Sequence, residues 1–156
     1  MHVQLGELAP DFTLRDQNNQ EVTLSSFRGS KPVLLVFYPL AFSGICSGEL
    51  CALRDDLPRV AAEIGTAAQL LTISVDSIFV HRVWAEQEKF EFPLLSDFWP
   101  HGKVARDYGV FDDNKGVSRR GTFAIDNAGI MRWQKVNEIP VGRDLSLYTE
   151  ALSAVA

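Results

Sequence analysis

The segment Val33–Tyr38, VLLVFY, is apolar at every position. A strand apolar on both faces must be covered on both faces, so it belongs at the centre of a layered sheet. Pro39 ends it, because proline cannot donate to a strand ladder. The whole apolar run reaches only to Phe42. That is about half of the roughly 20 residues a membrane-spanning helix needs. The fold has to be built outward from one buried strand.

The neighbouring segments supply the layers. Asp11–Arg15 and Glu21–Leu24 alternate around Gln17-Asn18-Asn19-Gln20, a hairpin pattern in which asparagine tolerates the turn dihedrals. Gly29–Pro32 breaks the chain before the central strand. After it, Leu50, Leu53, Leu57, Val60, Ala61 and Ile64 follow helical spacing from about Gly44, and Pro58 predicts a kink or break. Gln69–Val75 reads as a second buried strand. Ile78–Lys89 reads as a helix, with Val80, Val83, Trp84 and Gln87 on related turns. Phe92–Ser96 is a short strand and Lys103–Tyr108 a short helix. Gly121–Asp126 and Ile130–Lys135 flank Asn127-Ala128-Gly129, a hairpin signal. Asp144 caps a final helix to about Val155.

Helices alternating with apolar strands give a layered α/β fold, and the closing hairpin makes the sheet mixed. The pattern is compatible with a thioredoxin-like core carrying an N-terminal β-hairpin extension. Pattern alone leaves other α/β arrangements open. A length of 156 residues suits one domain over 1–156, without linker or repeat.

Charge and cysteine usage narrow the function. The 20 Asp and Glu outnumber the 15 Lys and Arg, which argues against nucleic acid as a partner. The opening MHVQLGELAP lacks the basic and apolar regions of a secretory signal, so a cytoplasmic location and no membrane contact are expected. The two cysteines, Cys46 and Cys51, are too few for a disulfide framework or a four-cysteine zinc site. His81 and His101 lack ligand spacing, so no metal or other cofactor is expected. In a reducing compartment such a cysteine pair is more often reactive than structural.

Cys46 follows a buried strand and opens a helix. In a first helical turn a thiol faces unpaired backbone N–H groups and the positive end of the helix dipole, and both favour thiolate. The other reading of Cys46 is a small buried hydrophobe. Position alone leaves both open.

Pro39, Ser43 and Cys46 resemble the peroxiredoxin active-site pattern Pro-x-x-x-Thr/Ser-x-x-Cys. Glu49 also resembles that family, as does Arg120 in Arg120-Gly121-Thr122-Phe123. Ala9-Pro10-Asp11-Phe12 is similar to the family's N-terminal segment, and Phe92-Pro93-Leu94-Leu95-Ser96-Asp97 to its middle one. The likeness covers nearly the whole chain, in order. Gly44-Ile45-Cys46 and Ser96-Asp97-Phe98-Trp99-Pro100-His101-Gly102 are similar to the small bacterial alkyl hydroperoxide reductase E type. Ser43 stands where many relatives have threonine, which keeps the hydroxyl and loses a methyl.

The resemblance implies a thioredoxin-like fold and a thiol-dependent peroxidase, without metal or haem. Its substrates would be hydrogen peroxide, organic hydroperoxides or peroxynitrite. Cys46 would attack one peroxide oxygen and become a sulfenic acid. Arg120 would favour the thiolate and donate to the leaving oxygen, tasks that suit a permanently charged guanidinium. Ser43 would orient the peroxide, and Pro39 would shield the thiolate from water. Glu49 is expected to orient Arg120 rather than touch substrate. The family commonly forms homodimers and draws on a thiol reductant of thioredoxin, mycoredoxin or mycothiol type.

Each residue also has a plainer reading. Arg120 would be a surface arginine, Ser43 a helix cap, and Glu49 a favourable first-turn carboxylate. Arg119 and Arg120 point to opposite faces of a strand, so only one can enter a pocket. Trp84, Trp99 and Trp133 are expected in packing, with Trp99 and Phe42 also candidates for the pocket rim.

Cys51 is spaced from Cys46 as in the peroxiredoxin Q, or bacterioferritin comigratory, type, where the second cysteine resolves the first. Five residues along an ideal helix separate Cα atoms by about 8.6 Å, beyond the roughly 7 Å limit for a disulfide. A bond therefore requires the first turn to unwind. Helical phase puts Cys46 on the apolar stripe and Cys51 off it, toward Arg54 and Asp55. That weakens a core role for Cys51 and leaves it open to solvent or to a subunit interface. Cys51 is the expected resolving cysteine, with an external thiol as the alternative. A general thiol–disulfide oxidoreductase is the rival enzyme, disfavoured by the absence of Cys-x-x-Cys. A redox-responsive binding protein is the non-enzymatic rival.

Overall fold

The computed structural model describes residues 3–156. Seven strands form one mixed sheet in the order β2 (Glu21–Thr23), β1 (Thr13–Arg15), β5 (Leu94–Ser96), β4 (Gln69–Ser74), β3 (Val33–Phe37), β8 (Arg120–Ile125), β9 (Met131–Asn137). The VLLVFY segment supplies its centre, β3 (Val33–Phe37), fully buried at all five positions. It pairs in parallel with β4 (Gln69–Ser74) and antiparallel with β8 (Arg120–Ile125). Successive side chains of β3 enter different cores. Leu35 and Phe37 join Leu71, Ile73, Phe123 and Tyr108 on one face. Leu34, Val36 and Tyr38 join Cys46, Leu50, Trp84 and Tyr148 on the other. The mixed α/β class and the thioredoxin-like architecture read from the sequence are both present.

The N-terminal hairpin joins β1 (Thr13–Arg15) to β2 (Glu21–Thr23). Asp16 Oδ1 accepts from the N–H of Asn18 and of Gln20, and Asn19 takes φ 61°. Gln17 fastens this hairpin to the sheet by donating to Phe92 O and accepting from Leu94 N. A 3₁₀ turn at Leu24–Phe27 follows.

The long periodic segment divides as Pro58 requires. α1 spans Gly44–Asp55 and α2 spans Leu57–Ile64, with Pro58 in the first turn of α2. Proline has no N–H and its ring collides with the carbonyl four residues back, so α1 cannot continue. Gly65, at φ 84°, ends α2.

α3 (Ile78–Glu88) forms where expected, but a different stripe is buried. His81, Trp84 and Ala85 face the core, while Val83 is exposed. The buried Ser74 and Tyr38 provide polar partners for His81, so the histidine rather than the valine lies inward. β5 (Leu94–Ser96) pairs with β4, and α4 (Lys103–Asp107) follows. A small hairpin of β6 (Phe111–Asp112) and β7 (Val117–Ser118) has no counterpart in the sequence reading. β8 and β9 (Met131–Asn137) close the sheet, and Asp126 Oδ1 accepts from Ala128 N and Ile130 N within their turn. α5 (Leu145–Ser153) is capped by Asp144, which accepts from Leu147 N. Trp84 packs in the core as expected, but Trp99 is 82% exposed. Among the described residues, no helix is long and apolar enough to cross a membrane.

Two buried groups titrate with opposite consequences. Burial, partly offset by the Asp76 charge, pulls His81 down from 6.5 to about 4. Burial outweighs two backbone N–H bonds at Asp97 and pushes its carboxyl up from 3.8 to about 6. At His81 the unfolded chain takes the proton first, so stability is lost as pH falls from 6.5 to about 4. At Asp97 the fold takes it first, so stability is gained as pH falls from about 6 to 3.8. The two largely offset each other in the wild type. Urea midpoints between pH 6.5 and pH 4 should therefore fall on acidification in Asp97→Asn and rise in His81→Asn. Equal pH slopes in both variants would contradict this assignment.

Candidate active site

Cys46 is the third residue of α1 and its side chain is fully buried. The extended backbone of Ser43 serves as the N-cap, and Ser47 N donates to Ser43 O. The Ser43 hydroxyl does not cap the helix; it donates to Leu40 O at 2.9 Å. Its single proton is therefore committed backward, and its lone pairs remain available as acceptors. Pro39 is buried at the start of this loop.

Arg120 is the first residue of β8 and 2% exposed. Strand alternation separates it from Arg119. The Arg119 guanidinium reaches Gly109 O and Glu138, and its side chain is 31% exposed. Arg120 Nη1 lies 3.3 Å from Cys46 Sγ and also donates to Glu49 Oε1. Its Nε donates to Ile139 O. Among the described residues Nη2 has no acceptor, so two N–H groups of this cation are uncommitted.

Glu49 lies in the second turn of α1 rather than the first, so the first-turn dipole reading does not apply. Its carboxylate joins Arg120 to a residue the sequence reading missed, Arg143. Arg143 spends all five guanidinium N–H donors: Nε on Glu49 Oε2, Nη1 on Gly121 O and Thr122 Oγ1, Nη2 on Phe37 O and Glu49 Oε1. Its backbone N–H adds a bond to Glu49 Oε2 at 2.8 Å. Burial opposes ionisation of Glu49, but the hydrogen bonds and charge of Arg143, then the charge of Arg120, hold its carboxyl below its ordinary value. Two guanidinium charges thus meet one carboxylate. That leaves one positive charge uncompensated beside Cys46 Sγ.

Nothing local marks Arg143 in the sequence. It is 94 positions from Glu49, and a lone arginine before a helix cap carries no periodic signal.

An open cavity of about 370 Å³ sits over this cluster. Pro39, Leu40, Ile45, Val117 and Ile139 form apolar walls, with Ser43, Arg120 and Lys115 as its polar groups. Phe42 and Trp99 do not line it. Phe42 packs on Trp84 with ring centroids 5.6 Å apart. A larger groove of about 450 Å³ runs past Leu53, Leu57 and Phe92 and contains none of the motif side chains.

Cys51 lies in the same helix as Cys46 and both thiols are free. Cys51 is half-buried, packed at the margin of the helix-side core. Its Sγ donates to Glu88 Oε2 at 3.6 Å, and Glu88 is tied to Arg54. Burial pushes the Cys51 thiol up, Arg54 opposes that, and Glu88 reinforces it.

Residues 5–134 match the model of the AhpC/TSA family. Alkyl hydroperoxide reductase E of Mycobacterium tuberculosis is 52% identical over 153 residues, 98% of either chain. The reduced 2-Cys peroxiredoxin of Plasmodium vivax superposes with a TM-score of 0.82 at 33% identity, over 95% of this chain and 79% of that one. Peroxidoxin BcpB of M. tuberculosis superposes with a TM-score of 0.80 at 32% identity, over 98% and 96%.

Arg143→Met removes one cation and its five side-chain hydrogen bonds, leaving Glu49 only Arg120 Nη1 and the backbone N–H of residue 143 as donors. Urea unfolding should show a loss of about 3–5 kcal/mol, the range for breaking a buried ion pair. A loss below about 1 kcal/mol, the scale of a surface pair, would contradict the structural weight given to this cluster.

Proposed function

The chain belongs to the AhpC/TSA family, and from that premise we propose that Cys46 is the nucleophile of its peroxidase reaction. The protein is a peroxiredoxin, a thiol-dependent peroxidase that takes a peroxide as substrate and a thiol as reductant. The observation that carries the assignment of Cys46 is the 3.3 Å approach of Arg120 Nη1 to its sulfur inside a buried cluster of two guanidinium groups and one carboxylate.

The thiolate of Cys46 attacks the nearer oxygen of ROOH. The S–O bond forms as the O–O bond breaks, Cys46 becomes a sulfenic acid, and RO⁻ leaves and takes a proton as ROH. The uncommitted Nη2 donors of Arg120 stabilise charge on the departing oxygen, where fixed donors are most effective. Ser43 accepts from the peroxide hydroxyl, because its own proton is held by Leu40 O. Pro39 keeps water from the sulfur. Glu49 fixes the plane of Arg120 and does not meet substrate. The apolar cavity walls accommodate organic hydroperoxides alongside hydrogen peroxide and peroxynitrite.

Cys51 is our candidate for the second step. Its thiol condenses with the sulfenic acid, forming a disulfide and water. Both cysteines lie within intact α1, so this step needs the first turn to open. A thioredoxin, mycoredoxin or mycothiol-type thiol would then reduce the bond, or would attack the sulfenic acid directly if Cys51 does not. We read residues 1–156 as one catalytic domain acting in the cytoplasm as a homodimer.

Peroxide consumption should disappear in Cys46→Ser. Arg120→Ala should retain Cys46 but lose about 100-fold or more in its rate of oxidation, as for loss of a transition-state donor. A Cys46→Ser chain as fast as wild type would end this reading and favour a redox-responsive binding protein. Intact mass after one equivalent of peroxide tests Cys51. Loss of two hydrogens is expected in wild type and a gain of one oxygen in Cys51→Ser; a stable gain of oxygen in wild type excludes resolution by Cys51.

A further inference from the structure

The loop from Pro39 to Ser43 carries the cavity wall and delivers Cys46, yet it has little backbone bonding of its own. Among the described residues, the N–H of Ala41 has one acceptor, Asp76 Oδ2, at 2.8 Å. Asp76 lies beyond the end of β4, 35 positions away. The next residue, Phe42, is held in the left-handed region at φ 68°, which a phenylalanine does not adopt without support. Its ring rests on Trp84 of α3, which in turn packs on Tyr38. Two consecutive loop residues are thus pinned to one platform, one by its backbone and the other by its ring.

The platform is itself ordered by a hydrogen-bond chain. Ser74 Oγ donates to the same Asp76 Oδ2 at 2.6 Å. Ser74 Oγ also lies 2.7 Å from His81 Nε2, which ties α3 to the same carboxylate. Tyr38 OH closes the chain at 3.2 Å from Nε2. Ser96 Oγ holds the Asp76 backbone carbonyl at 2.6 Å. Ser74 holds the carboxylate and Ser96 the backbone of Asp76, and none of these groups lines the peroxide cavity.

We propose that Asp76 is a positioning residue for peroxide reduction: by holding Ala41 N–H it keeps the loop and the first turn of α1 in the attack-competent conformation. This rests on the peroxidase reading above. Without the carboxylate, Ala41 N–H must turn to water, Phe42 loses the register that places it on Trp84, and Ser43 and Cys46 shift away from Arg120. The same release moves the first turn toward the unwound form that a Cys46–Cys51 bond requires. Asp76 therefore sets the partition between attack and resolution.

The test compares Asp76→Ala and Asp76→Asn with wild type. Oxidation of Cys46 by hydrogen peroxide, followed by rapid quench and mass analysis, should slow about tenfold in Asp76→Ala, the factor that about 1.4 kcal/mol produces. Hydrogen exchange of the peptide covering residues 39–47 should quicken by a similar factor, while peptides from β3 and β4 stay protected. Asp76→Asn keeps one side-chain oxygen for Ala41 N–H and should recover part of both effects. A merely structural role would lower the urea midpoint and raise exchange throughout, with the folded fraction reacting at the wild-type rate. That result, or rates and loop exchange within about twofold of wild type (under roughly 0.5 kcal/mol), overturns the proposal. If Asp76→Ala fails to fold, Asp76→Asn alone decides on the same two readouts. Should wild-type Cys46 resist peroxide, the peroxidase reading fails, and loop exchange still judges the tether on its own.

Discussion

The carboxylate of Glu49 ties the site together. It collects four hydrogen bonds, one from Arg120 and three from Arg143. Through them the second turn of α1, the first residue of β8 and the segment before α5 become one body. Burying such a group is expensive, and buried ion clusters are weak evidence for net stability. Their better-attested use is to specify one arrangement. Here the specified arrangement is the plane of the Arg120 guanidinium beside Cys46. Arg143 exhausts its donors on protein acceptors and so cannot drift toward substrate. Arg120 has donors left over, which is why the proposed role toward peroxide falls to it and not to Arg143.

The sheet register does the coarse placement that Glu49 then refines. β3 and β8 pair antiparallel, with Val36 opposite Thr122. Continuing that register sets Arg120 beside Tyr38, immediately before the loop that leads to Cys46. Thr122 and Arg120 share the helix-side face with Val36 and Leu34, while Phe123 and Ile125 face the other core. A slip of one residue would exchange Arg119 for Arg120 and reverse every side chain of β8. The buried run Gly121–Ile125 prevents that slip, because each core is filled by one phase of it.

What the sequence made legible depended on whether a signal was local. Pro39, Ser43 and Cys46 lie within eight positions, and the structure gathers them at one loop. The α1–α2 break follows from Pro58, and both long hairpins follow from their turn residues. Arg143 and Asp76 were not legible, because their partners are 94 and 35 positions away and neither falls in a periodic pattern. α3 misled for another reason. Hydropathy favours Val83 as the inward residue, but a satisfied polar chain through Ser74 makes His81 the buried one. Trp99 misled by size alone: a large aromatic is a good candidate for packing only where something packs against it.

In the proposed mechanism α1 has to meet two opposed demands, thiol attack and disulfide formation, and its composition divides them along its length. Leu50 and Leu53 are buried and hold its C-terminal part to the sheet. The N-terminal part contains Gly44, Ser47 and Gly48. A Cβ at Gly44 or Gly48 would meet no atom within 4 Å, and neither glycine has a positive φ. Neither packing nor backbone conformation therefore requires a glycine there. Each weakens the helix by about 1 kcal/mol relative to alanine. The turn that carries Cys46 is accordingly weak on its own and owes its order to contacts outside the helix: Arg120 on one side, Asp76 and Trp84 on the other. A helix ordered by its neighbours opens when one of them lets go. A helix ordered by its own propensity would give a good thiolate and a disulfide that could not form.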